Sequence, residues 1–199
     1  ALVGALARIS RNPVAFGVSG FYVSFFRGTP LIVQMFLLYL GLPQIGANLE
    51  SRIPGIREAL TFDYLTAGIL ALGLNYGAYM TEIFRAGIQS IERGQHEAAE
   101  ALGLSGWRKY RFVILPQALR RILPALGNQF VYMIKMSALV SVIGMQELTR
   151  RANELVVVEY RPLEIYTVLV LEYLALILLV SSAVRRLERR LALPGDSRR

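Results

Sequence analysis

Long apolar runs are the feature that most constrains this chain. A helix crossing ~30 Å of hydrocarbon needs about 20 mostly apolar residues, and four stretches approach that pattern. The first starts near Phe21, carries Arg27 close to its start and continues through LIVQMFLLYLGL to about Leu42. The second starts at Tyr64, with a helical pattern continuing past Glu82 to Ile91. The third covers Leu123 to Met145 and the fourth Ile165 to Val184. A mean hydropathy of +0.44 with 18% charged residues over 199 residues is too apolar for an ordinary soluble domain. The expected fold class is all-α, a polytopic integral membrane helix bundle.

Lysine and arginine in short loops favour the cytoplasmic side, whereas acidic residues count for little. The segment 50–63 holds only Arg52 and Arg57, and 146–164 holds Arg150, Arg151 and Arg161. By contrast, 92–121 holds Arg93, Arg108, Lys109, Arg111, Arg120 and Arg121, and the tail from Arg185 is similarly basic. The central segment and the C-terminus are therefore expected inside, the other two loops outside. The chain reads as one membrane domain over 1–199. It opens on ALVGALA, which looks like the tail of an earlier, mostly missing helix, so the expectation is an N-terminally truncated fragment of a five-helix protein.

Composition removes several classes of function. The net charge of +8 shows no aromatic-interleaved basic patch, which argues against nucleic acid. Cysteine is absent and His96 is the single histidine, so thiolate chemistry and histidine clusters are ruled out. No GxxxxGK[ST] phosphate loop occurs, so any ATP must be bound by another subunit and no cofactor is expected in this chain. No nucleophile, base and orienting group converge at recognisable spacing, so an enzyme is not expected.

The basic central segment, 91–121, carries most of the functional information. Residues Gln95 to Leu102 favour helix, Gly103 supplies a stop, and a second helix is expected from Ser105, its hydroxyl capping, until Pro116 interrupts. A helix, a glycine turn and a helix on the inner membrane face form a knob suited to a groove on another protein. His96 is expected to be solvated there, and Trp107 either anchors at the membrane interface or contacts a partner.

Glu97, Ala98, Ala99, Gly103, Val113, Leu115 and Pro116 match the EAA loop of ABC importer permeases in type and spacing, with Val113 in place of the usual isoleucine. FRGTPLIVQ at 26–34, LNYGAYMTEIFRAGIQSI at 74–91, ILPQALRRILPALGNQF at 114–130 and SVIGMQELTRRA at 141–152 extend the likeness over nearly the whole chain. The chain resembles the polar amino acid permeases, the subfamily of histidine, glutamine and arginine importers. The resemblance implies the MetI-like permease fold and a bacterial inner-membrane location. It also implies a cytoplasmic ATPase dimer receiving the elbow, a second permease subunit (homo- or heterodimer) and an extracytoplasmic amino-acid-binding protein. On this reading Glu97 meets a basic residue of the ATPase, Ala98 and Ala99 allow close helix approach, and Gly103 permits the reversal. Leu115 and Pro116 complete the coupling motif.

Within the spans, charges at membrane depth usually face a cavity or a partner. Lys135 and Glu172 are candidates for a pair across the bundle, or for two separate positions on a water-filled path. The resemblance places substrate beside the helix containing GNQFVYMIKMSALVS, so Asn128, Gln129, Met136, Ser137 and Ser141 are candidate path residues. Where relatives taking basic amino acids resemble GNE and KD, this chain has Gln129 and Met136. A cationic side chain would find little compensation there. The cargo is then neutral or acidic, or this subunit is the non-binding half of a heterodimer; the bland alternative is that both residues merely pack between helices. The serines equally suit hydrogen bonds within their own helix. Pro30 is expected to bend the first span. Glu82 and Arg85 are expected to pair within a helix, and Asn75 and Gly77 allow close helix contact or line the path. The basic C-terminus is read as an anchor on anionic lipid. The alternatives are an ion-driven secondary transporter, which would need internal repeats not seen here, and a non-transporting membrane scaffold.

Overall fold

The computed structural model describes residues 1–191, and these are helical with no strand among them. Helix α1 (Leu2–Ile9) is followed by α2 (Pro13–Gly28). The start of α2 is set by Asn12, whose Oδ1 accepts from the Val14 and Ala15 amides at 2.9 and 3.3 Å, with Pro13 in the first helical position. Pro30 does not bend a continuous span as expected. It ends one helix and starts another, standing extended (φ −64°, ψ 136°) before α3 (Leu31–Phe36).

A π-helical turn, Leu37–Gly41, joins α3 to α4 (Leu42–Leu49). A second π-turn, Tyr110–Ile114, lies between α8 (Gly106–Lys109) and α9 (Leu115–Ser137). Each ends two residues before a proline, Pro43 or Pro116. In a regular helix these prolines would collide with the carbonyls of Tyr39 and Phe112 and leave them unpaired. Both carbonyls belong to the widened turns, so the helix absorbs the proline without stopping. Pro116 therefore does not interrupt the helix, contrary to expectation.

Helix α5 (Ile56–Ala59) closes a short loop, where the Glu50 carboxylate accepts the Gly55 and Arg57 amides, both at 2.8 Å. Helix α6 (Tyr64–Gln89) begins on Asp63, which accepts from the Leu65 and Thr66 amides at 3.3 Å. Helix α7 (Arg93–Ala101) precedes α8. After α9, a 3-10 turn (Ala138–Ile143) leads to α10 (Leu148–Glu159), capped by the Glu147 side chain on the Arg150 amide at 2.7 Å. Helix α11 (Pro162–Leu191) is the last among the described residues.

Among the described residues, three helical stretches are long and apolar enough to cross a membrane: Leu31–Leu49, Gly106–Ile143 and Pro162–Arg189. The first expected span is thus shifted toward the C-terminus, because the break at Pro30 removes its opening turns. The expected second span is helical over 26 residues in α6 but is not among the three; it carries Asn75, Thr81, Glu82 and Arg85. The basic tail beyond Leu191 lies outside the described residues.

The chain divides into two compact units. One comprises 1–24, 77–131 and the segment from Val180; its core is Ile88, Ile91, Ile114 and Ala118, with Leu2, Leu6 and Ile9 of α1 packed against it. The other comprises 25–76 and 132–179; its core is Leu31, Met35, Ala67, Ala71, Val140 and Ile143.

Candidate functional site

The expected elbow is present in the first unit. Helix α7 ends in a paired-bond turn: the Gly103 amide donates to the Glu100 carbonyl and the Leu104 amide to the Ala99 carbonyl, both at 2.9 Å. This arrangement needs a left-handed residue after the cap, and Gly103 has φ +75° with nothing near its missing Cβ. Ser105 occupies the cap position of α8, extended at φ −123°, but its hydroxyl makes no cap bond. The expected capping role therefore fails, and Gly106 at φ +51° carries the chain into the next helix.

The two arms are held together mainly by side chains. Lys109 donates to Glu100 at 2.6 Å, and Gln117 to Gln95 at 2.9 Å. Arg121 pairs with Glu92 at 3.6 Å and also donates to the Ser90 carbonyl. The Lys109 ammonium holds the Glu100 carboxyl below its ordinary range, chiefly by hydrogen bonding and then by charge. His96 is half-buried with its ring edge-on to Tyr110 at 6.4 Å, so it packs within the knob rather than standing fully solvated.

The two alanines of the motif separate. Ala99 is buried at 1% exposure, while Ala98 faces outward. Glu97 is exposed and pairs with Arg93 one turn earlier at 3.0 Å. Leu115 is half-buried against the Ile88–Ile114 core, and Pro116 is exposed. Around the tip, Leu102, Trp107 and Phe112 are 79, 58 and 63% exposed. The exposure of Trp107 suits both roles expected of it; that of Leu102 and Phe112 was not anticipated, although large apolar residues in a basic loop were its visible signal.

Within the second unit the candidate path residues Lys135, Met136, Ser137, Ser141 and Glu172 stand in different surroundings. Lys135 and Glu172 are both exposed and form no ion pair with each other, so the expected pair is absent within the chain. Glu172 instead lies along an open groove of about 490 Å³ between α10 and α11, with Leu155, Val168 and Arg151. Met136 packs against the Met35–Ala71 core. Ser137 and Ser141 donate to carbonyls of their own helix, Ile134 and Ala138, at 2.7 Å each. Asn128 is exposed. Gln129 is different, since its Nε2 is buried without a hydrogen-bond partner.

The expected Glu82–Arg85 pair is present at 2.7 Å, and Arg8 joins it at 3.4 Å. Gly77 lies beneath the Tyr22 hydroxyl. Asn75 is buried and hydrogen-bonded to Gln34 and to the Phe26 carbonyl. These partners were not foreseen.

Apolar helices of spanning length, one of them entered through a polar helical elbow, are the architecture of a membrane-embedded protein. Residues 1–193 match the family described as the inner membrane component of binding-protein-dependent transport systems, and the chain belongs to that family. Among its relatives is the glutamine transport system permease protein GlnP of Escherichia coli (strain K12), 40% identical over 190 residues, covering 96% of this chain and 82% of the relative. The arginine transport system permease protein ArtQ of Bacillus subtilis (strain 168) is 37% identical, covering 96% and 81%. A crystal structure of an amino acid ABC transporter with histidines superposes with a TM-score of 0.82 at 41% identity, covering 95% of this chain and 82% of that one. The MetNI methionine ABC transporter in inward-facing form superposes with a TM-score of 0.73 over 96% and 85%; at 19% identity this likeness concerns the fold alone.

The protein is thus a non-enzymatic permease component, the inner membrane part of a binding-protein-dependent ABC transporter, with the MetI-like fold. As a member of this family it works with an ATPase and a substrate-binding protein. Neither family nor fold supports a secondary transporter or a scaffold.

Proposed function

We propose that this chain pairs with a second permease subunit and passes a neutral, polar amino acid. Its 91–121 elbow faces the cytoplasm and docks into a cleft on the ATPase. The observation that carries the docking reading is the exposed rim of Leu102, Trp107 and Phe112 on an arm braced from within by Ala99 and the Lys109–Glu100 bond. A rigid projection with an apolar tip transmits force where a loose connector would not, and an exposed apolar patch rimmed by charge marks a protein contact. Glu97, Ala98 and Gly103 set the outer contour of the elbow, and Leu115 and Pro116 join it to the membrane helix.

A neutral cargo is supported by Gln129, which offers an amide where a cation would require a carboxylate; Met136, named with it from the sequence, packs against the second unit's core. The uncommitted Nε2 of Gln129 is a donor available to a carbonyl or carboxylate. Asn128, Lys135, Ser137, Ser141 and Glu172 remain candidates for the path. The relative named for glutamine transport, at 40% identity, points the same way. The C-terminus is assigned to the cytoplasm, where Arg185, Arg186 and Arg189 favour anionic lipid.

The native chain has no cysteine, so single replacements report topology directly. With Leu102→Cys and Ile53→Cys, both exposed positions, a membrane-impermeant maleimide is expected to label position 102 only in inside-out vesicles and position 53 only in right-side-out vesicles. Labelling of position 102 from outside would refute the docking reading.

A further inference from the structure

Two segments of sequence, FRGTPLIVQ and LNYGAYM, meet in one buried hydrogen-bonded cluster. Pro30 has no N–H, so the carbonyl four residues before it, Phe26, loses its helical partner at the end of α2. In an apolar setting such a carbonyl needs a replacement. It receives two: Gln34 Nε2 donates at 3.0 Å and Asn75 Nδ2 at 2.8 Å. Gln34 Nε2 also lies 3.1 Å from the Thr29 carbonyl and 2.8 Å from Thr29 Oγ1, and Asn75 Nδ2 lies 3.1 Å from Gln34 Oε1. Gln34 and Asn75 are 3 and 7% exposed. Backbone carbonyls fix the orientation of both amides, because only their NH2 groups can face those oxygens.

We propose that Asn75 and Gln34 are positioning residues of the transport cycle, forming a releasable latch between α6 and the break joining α2 to α3. Two features favour a latch over a permanent weld. Gln34 has two N–H donors for three oxygens, so it can re-aim among them without leaving itself unpaired. The Phe26 carbonyl accepts from both amides, so Asn75 can withdraw while Gln34 keeps that carbonyl satisfied. The cost of orphaning a buried polar group then falls on Asn75 and on Gln34 Oε1, which accepts from it, while the Phe26 carbonyl stays paired when α6 moves. Only Ser90, Ile91 and Glu92 separate α6 from α7 of the elbow, so α6 is the chain segment through which a nucleotide-driven displacement would reach the latch. The proposal rests on the ATPase-docking reading.

The test uses nitroxide labels at Gly28→Cys, where an added side chain meets open space, and at Leu74→Cys, which is exposed. Distances are measured by pulsed electron resonance in the assembled permease–ATPase complex, without nucleotide and after trapping with ATP and vanadate, with ATP hydrolysis recorded on the same samples. One separation is expected without nucleotide and a second after trapping. Asn75→Leu keeps the branched outline but removes the donor, and is expected to populate the second separation without nucleotide. Hydrolysis accompanied by a single unchanged separation in the unsubstituted latch overturns the proposal and leaves the docking reading standing. A complex whose ATPase is indifferent to the permease overturns both.

Discussion

Lys109 reaches back across the elbow to Glu100 at 2.6 Å, closing the turn that Gly103 opens. The lysine side chain is only 15% exposed and the glutamate 58%, so the pair is a clamp with one side in solvent. Its partners come from two helices on either side of a left-handed glycine, and the angle of the elbow therefore depends on both charge and backbone.

The backbone part is testable at Gly103. Any side chain at φ +75° costs about 1–2 kcal/mol in left-handed conformation, and no neighbour lies close enough to add a clash. Gly103→Ala is expected to lower thermal stability modestly and to reduce permease-stimulated ATP hydrolysis, with Gly103→Val worse. An unchanged melting temperature and hydrolysis rate in Gly103→Val would exclude a strict conformational requirement.

The charge part depends on pH. The Glu100 carboxyl is held below its ordinary value, so its stabilising contribution is complete above the unfolded carboxylate range and is lost as pH falls through the lower folded value. Trp107, the single tryptophan, stands two residues from Lys109 and reports the change. Its emission is expected to titrate with a midpoint below that of a free glutamate, and Glu100→Gln is expected to abolish the step. A step that survives in Glu100→Gln belongs to another group.

Close packing gives a contrast between two glycines of the same helix. A Cβ at Gly87 would run into Ile122, whereas one at Gly73 meets nothing. Gly87→Ala is expected to destabilise by about 1–3 kcal/mol through overpacking, while Gly73→Ala is expected to be neutral or slightly stabilising, since alanine is the better helix former. Equal melting temperatures for the two variants would contradict the observed approach of Ile122.

Gln129 separates packing from transport. Its buried, unpartnered Nε2 carries a desolvation penalty of roughly 1–3 kcal/mol, which an apolar side chain removes. Gln129→Leu is expected to raise the melting temperature and to lower amino-acid uptake. Higher stability with full uptake would make Gln129 a packing residue only.

Long-range apolar patterning and the elbow were legible in the sequence because both rest on local chemistry: spanning length, helix formers and a glycine stop. Proline was harder to read. Pro30, Pro43 and Pro116 share one local restriction, yet the first splits two helices while the other two are absorbed by π-turns, and the choice lies in how the freed carbonyl is satisfied. At Pro30 the answer comes from Gln34, four positions on, and from Asn75, 45 positions away in sequence, and no local rule could supply the second. The Lys135–Glu172 pair failed for a related reason: opposite charges in neighbouring spans invite pairing, but the rotation of each helix decides whether they meet. The burial of Ala99 and exposure of Ala98 follow from helix phase against the Tyr110–Ile114 turn, which becomes fixed only when α7 packs.

Docking of the elbow on the ATPase is tested most directly by replacing Trp107 with a photo-crosslinking amino acid in the assembled complex. Irradiation is expected to yield a covalent permease–ATPase adduct that excess competing ATPase does not dilute once formed. An intact, ATP-hydrolysing complex that gives adducts to lipid alone would contradict the coupling role assigned to this face of the elbow.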